Sequence, residues 1–158
     1  MKFNGELTVK ARRAAVYEKV RDARFFASCV DGVRDLAELS PDRYSAVFET
    51  KVAYMKFSFK VTVEVTRSDP PNEIEAKVEG TPLGIVGRMT ATALTRLSEI
   101  GDETRIEYEV DAALTGKLGS LGQPVLRSKA REMEKQFAAR LAAAFAPEKS
   151  PASPEISP

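Results

Sequence analysis

The chain has 158 residues, 43% hydrophobic and 30% charged, which suits one compact domain with a substantial core. A net charge of +1 gives no global attraction to nucleic acid. The complete absence of histidine removes the usual base of a Ser or Cys triad and the commonest zinc ligand.

Phe3, Leu7 and Val9 alternate with polar residues, so Lys2 to Val9 reads as a first strand with no apolar signal core before it. Ala11 to Asp22 reads as a helix, with Val16 and Val20 one turn apart and Ala23 and Phe26 carrying that face into a second short helix. Cys29 is the only cysteine; it can form no intrachain disulfide and reads as a small buried hydrophobe in a cytoplasmic protein. Val30-Asp31-Gly32 is a turn signal, and strands 33–39 and 43–52 follow on either side of Ser40-Pro41-Asp42. Met55, Phe57, Phe59, Val61, Val63 and Val65 then alternate without a break against polar neighbours, which demands one buried and one wet face. The prolines of Ser68-Asp69-Pro70-Pro71-Asn72 end that strand, since they cannot donate to a ladder. Ile74, Ala76 and Val78 alternate in the next, and strands 87–97 and 104–114 complete the series. Between them, Gly80 to Gly87 lacks the Lys-Ser/Thr of a phosphate loop and reads as a flexible hairpin.

From Leu126 the apolar positions Leu126, Ala130, Met133, Phe137, Leu141 and Ala144 share one helical face, opposite Arg127, Lys129, Arg131, Glu132, Glu134, Lys135 and Arg140. Seven half-buried strands are more than one helix covers flat. The expected class is therefore α+β: a curved antiparallel seven-stranded sheet around a long C-terminal helix, with two short helices after strand 1 and apolar space between helix and sheet. Residues 1–146 form the domain; 147–158, with four prolines, read as a disordered Pro/Ser-rich tail dispensable for folding. No stretch approaches the roughly 20 apolar residues of a bilayer span.

Phe48, Phe57, Phe59, Met89, Leu121, Leu126, Met133 and Phe137 are either solid core or a ligand wall, depending on whether the curled sheet leaves a void. Arg88 points into the groove or out to water by its parity with Thr90 and Thr92, and inward it would anchor a ligand oxygen. Tyr108 and Tyr44 are further candidates for orienting a polar head. No paired carboxylates or metal-ligand cluster stand at a recognisable spacing, so no catalytic residue or metal is assigned. The basic face of the last helix reads as a solvated surface, or as a weak contact for an anionic membrane or acidic partner.

The order of elements resembles the helix-grip fold of the START/Bet v 1-like (SRPBCC) superfamily. Local motifs resemble one branch of it, the family of the carbon monoxide dehydrogenase G subunit (CoxG): Cys29-Val30-Asp31-Gly32-Val33, Lys56 with Phe59-Lys60, Asp69-Pro70-Pro71, Gly116-Lys117-Leu118 with Leu121-Gly122, and Ala130-Arg131, Met133, Gln136-Phe137 and Arg140. The chain departs from that pattern at Asp31, where the family usually has proline, and at Ala53-Tyr54, where a Gly-Pro turn is common; both departures alter turn stiffness rather than chemistry. It departs again at Pro124, which reads as the true first turn of the long helix. The resemblance implies a non-enzymatic accessory protein. It would hold a lipid or quinone-like molecule and link a CO dehydrogenase-type, molybdenum-containing oxidoreductase to the inner face of the membrane, as a cytoplasmic or peripheral protein. Two rival expectations are a small enzyme resembling polyketide cyclases or dehydratases, and an assembly factor whose core is filled.

Overall fold

Strict alternation of apolar side chains fixes strand register, because a slip by one residue would turn each buried side chain to water. The computed structural model describes residues 1–146; the tail expected over 147–158 lies outside the described residues. Its elements are β1 (Lys2–Val9), α1 (Arg13–Arg21), α2 (Ala23–Ser28), β2 (Val33–Ser40), β3 (Arg43–Val52), β4 (Met55–Asp69), β5 (Glu73–Pro82), β6 (Gly87–Ile100), β7 (Glu103–Gly116), a 3-10 turn (Gly119–Leu121) and α3 (Gln123–Ala144). All seven strands form one curved antiparallel sheet in the order β1-β7-β6-β5-β4-β3-β2. The expected order is thus observed, with several strands two to four residues longer than their alternation predicts. β5 continues to Pro82, which pairs with Phe59 of β4 after the β6 ladder has ended at Gly80 opposite Met89, so its missing N–H forfeits nothing.

The core is split between the two ends of the sheet. One cluster joins Val9, Val16, Tyr17, Ile74, Leu97, Ile106 and Leu141, with Phe25, Phe137 and Phe145 packed against it. Here α1, α2 and the C-terminal half of α3 seal the sheet. The other joins Val52, Phe57, Phe59 and Leu118, flanked by Phe48, Met89, Leu121 and Val125 at the start of α3. Each fully buried aliphatic side chain contributes about 1.5–3 kcal/mol of transfer free energy.

Two side chains differ from the helical faces expected. Phe25, not Phe26, meets the core, while Phe26 is exposed and tilts against Phe137 with ring centroids 5.0 Å apart. On α3, Ala144 is exposed and Phe145 takes the inward position, since four residues beyond Leu141 the stripe has rotated back to the core. Pro124 lies in the first turn of α3 as expected, after the separate 3-10 turn. At the β3–β4 turn Ala53 has φ 58°, a left-handed conformation that costs a residue with a Cβ about 1–2 kcal/mol.

Candidate functional site

Ladder register places Val63, Val78 and Ala91 in one row across the concave face, and Ala76, Ala93 and Val110 in the next. These middle rows carry Val and Ala where the ends carry Phe, Leu and Ile. They belong to neither core cluster and remain partly accessible. Short side chains at the centre of a curved sheet leave room under the helix, whereas large ones at both ends hold helix and sheet apart.

A cleft of about 380 Å³ lies between α3 and the edge of β3, and none of the middle-row residues lines it. Val30, Phe48 and Met133 supply apolar walls; Lys51, Lys56 and Lys129 stand at its rim with Glu49 and Glu132. β2 leaves β3 after pairing Val33 with Phe48, which uncovers the edge beyond Glu49.

The turn before β2 frames the cleft and is tied down from two sides. The Asp31 amide donates to Gln136 Oε1 at 2.8 Å, and the Gln136 amide and Arg140 guanidinium return bonds to the two Asp31 carboxylate oxygens at 2.5 and 2.7 Å. Gly32, at φ 89°, accepts from the Glu49 amide at 2.9 Å, and a Cβ on it would run into the Glu49 carbonyl oxygen. Thus Cys29-Val30-Asp31-Gly32-Val33 and Gln136 with Arg140, distant in sequence, form one joint. Asp31 therefore does more than set turn stiffness: its charge is used.

Arg140 beside Asp31 holds that carboxyl below its usual range, Ser58 and Arg34 do the same for Glu49, and Arg67 and Arg96 for Glu73. A carboxylate whose folded pKa is depressed contributes stability above its unfolded pKa of about 4 and loses it as pH falls through the folded value. The thermal midpoint is therefore expected to hold from neutral pH to about 5 and then fall. Asp31→Asn should reduce that acid-side loss, and a profile identical to wild type would show that the Asp31 joint does not contribute.

The residues expected at the site divide into three groups. Phe48, Phe57, Phe59, Met89 and Leu121 come together around Leu118, and Met133 faces the cleft beside Phe48. Phe137 joins the opposite, sealed cluster, and Leu126 is half-buried and joins neither. Arg88 does not join them: it is exposed on the outer face, bridged to Glu79 at 3.2 Å, because it alternates with the inward Met89. Tyr108 faces α3, but its hydroxyl is tied to the Glu134 carboxylate beneath Gly5, where a Cβ would lie 2.5 Å from that hydroxyl oxygen. Burial and the adjoining carboxylate push the phenol pKa well up, keeping it neutral. Tyr44 is occupied at the β2–β3 turn, donating to the Pro41 carbonyl at 2.6 Å and accepting from Arg21.

Leu118, 2% exposed, and Glu134 were not singled out as site residues. Glu134, expected on the polar face opposite the stripe, lies instead on its flank against Tyr108, and its spacing, four residues after Ala130 and three before Phe137, carried that signal. Cys29 is buried and its thiol pKa is raised by desolvation, consistent with packing rather than attack. Among the described residues no group of three or more Cys, Asp or Glu side chains is placed to hold a metal ion, and no helix is long and apolar enough to cross a membrane.

The same architecture recurs in solved structures. A conserved protein from Geobacillus kaustophilus superposes with TM-score 0.84 at 24% identity over 91% of this chain and 94% of that one. A START superfamily protein from Mycobacterium smegmatis gives 0.69 at 13% over 90% and 95%, and the Zhui aromatase/cyclase from Streptomyces sp. R1128 gives 0.65 at 15% over 91% and 92%. At such identities the likeness establishes a START/Bet v 1-like helix-grip fold and no more. No curated protein matches the sequence. The family model for the carbon monoxide dehydrogenase G subunit (CoxG) matches residues 5–146, from the first strand to the end of the last helix, and with that match over nearly the whole chain the protein belongs to the CoxG family.

Proposed function

We propose that this protein is a non-enzymatic carrier that holds a lipid or quinone-like molecule between the sheet and α3, and so connects a molybdenum-hydroxylase-type oxidoreductase with the membrane. The observation carrying the reading is the cleft of about 380 Å³ between α3 and β3, walled by Val30, Phe48 and Met133, beside a core divided into two clusters of large side chains with rows of Val and Ala between them. Apolar burial would supply affinity at about 25 cal/mol per Å² before ordering costs. The matched family is named for a component of CO dehydrogenase, which supports the choice of partner class. With Arg88 outside and Tyr108 engaged, the polar end of the ligand would meet the lysines and Thr50 at the rim.

Native mass spectrometry of the purified chain, followed by organic extraction, is expected to release an apolar ligand at up to one molecule per chain. Titration of the stripped protein with a quinone and with a fatty acid should restore the adduct. Absence of any adduct, together with no binding of either probe, would overturn the carrier reading in favour of an assembly factor.

The partly buried Tyr108–Glu134 pair favours one second reading, a small enzyme that uses a phenol and a carboxylate for proton transfer as the substrate bends in the grip. Turnover of an apolar polyketide-like substrate, abolished by Tyr108→Phe without loss of ligand binding, would establish it.

A further inference from the structure

The two ends of the sheet differ in how their charges are met. Around the β2–β3, β4–β5 and β6–β7 turns the carboxylates are met by arginines: Asp42 by Arg21, Glu73 by Arg67 and Arg96, and Glu99 by Arg13. At the other end, segments 50–60, 80–88 and 112–122 hold Lys51, Lys56, Lys60, Arg88 and Lys117 and no carboxylate. Arg88 is paired with Glu79, but the four lysines enter none of the ion pairs among the described residues.

The same basic end exposes bulky apolar side chains on two neighbouring loops. Tyr54, at the tip of the β3–β4 hairpin, is fully exposed beside Met55, and Val86 is 84% exposed in the β5–β6 loop with Leu83. The β5–β6 loop is held by a backbone bond at each end: the Leu83 amide donates to the Ser58 carbonyl at 2.8 Å, and the Lys117 amide donates to that of Val86 at 3.2 Å. Behind them Val52, Phe57 and Ile85 pack into one cluster, so the tips are backed by core. Solvent-facing apolar tips set among cations and free of carboxylates match the boundary between anionic headgroups and acyl chains.

We infer that the chain docks on an anionic bilayer through Tyr54, Met55, Leu83 and Val86, with Lys51, Lys56 and Lys117 against the headgroups. This locates the membrane contact of the proposed function and rests on that reading. Lys51 and Lys56 also stand at the cleft rim, so docking sets the cleft mouth beside the lipid from which an apolar ligand would enter. The basic face of α3 is the weaker candidate: Arg127 bonds the Lys2 carbonyl and lies over Phe3, Lys129 pairs with Glu132, and Arg140 with Asp31. Of its five cations, Arg131 and Lys135 stay outside such pairs among the described residues.

The sequence contains no tryptophan, so Tyr54→Trp makes a single reporter at the tip. Its emission should shift to the blue and be quenched by brominated acyl chains with phosphatidylglycerol-containing vesicles, less so at high salt, and not with pure phosphatidylcholine. In sedimentation, Tyr54→Ser with Val86→Ser should lower partition about tenfold or more, and Lys51→Glu with Lys56→Glu by a similar factor, with unfolding midpoints unchanged because these positions are exposed. Arg131→Glu with Lys135→Glu should change it by about twofold at most. No emission shift, equal binding to neutral vesicles, or binding lost only with the α3 pair would each overturn the inference. Titration of ligand without vesicles reads the carrier hypothesis separately.

Discussion

Gly32→Ala is expected to destabilise the fold by about 3 kcal/mol, although the position is not in the core. Distance from the core ordinarily makes such a change nearly neutral, but here two constraints act on one backbone. The residue sits at φ 89°, where a Cβ is strained, and that Cβ would meet the Glu49 carbonyl oxygen across a turn whose own carbonyl accepts from the Glu49 amide. Relief requires the turn to move, and moving it pulls on Asp31 and through it on Gln136 and Arg140 of α3. Denaturant unfolding would give the loss, and hydrogen exchange at Glu49 and Asp31 would locate it. An unchanged midpoint would mean that the turn relaxes freely and that the joint does not fix the cleft wall.

The strands were legible because their alternation is a local signal: Phe57 to Val65 names its own inward face and needs no partner to do so, and only Met55, at the hairpin end, departs from it by being exposed. The long helix was legible for the same reason, and its error at Ala144 came from extending a repeat of three and four past the point where 3.6 residues per turn had carried it off the core. The site was less legible because its determinants are relations across the chain. Whether Arg88 faced in or out depended on the parity of Met89 against Leu114, which alternating Thr residues do not reveal. The Asp31–Arg140 pair spans 109 positions and leaves no periodic trace. The room under α3 that the carrier reading needs would be written only as a contrast between Val and Ala in the middle rows and Phe, Leu and Ile at the ends, visible once register puts those rows side by side.

Met133→Ala and Phe137→Ala are expected to part company, although both residues lie on the same stripe one turn apart. Phe137 packs in the sealed cluster with Leu141 and against the Phe26 ring, so its truncation leaves a cavity in close-packed surroundings and should cost about 3–5 kcal/mol. Met133 borders the cleft, where one side of the side chain has no protein atoms to lose, and its truncation should cost about 1 kcal/mol. Ligand affinity should respond in the reverse sense. Removing Met133 takes away a wall and should weaken binding of a quinone or fatty acid about tenfold, whereas Phe137→Ala, measured where it remains folded, should change it little. Denaturant unfolding and ligand titration on the same two variants supply both axes. Losses of core size at both positions would mean that α3 lies on a filled interior; a large loss at Phe137 alone, with affinity falling at Met133 alone, is the pattern that a helix gripped at its ends over an open middle must give.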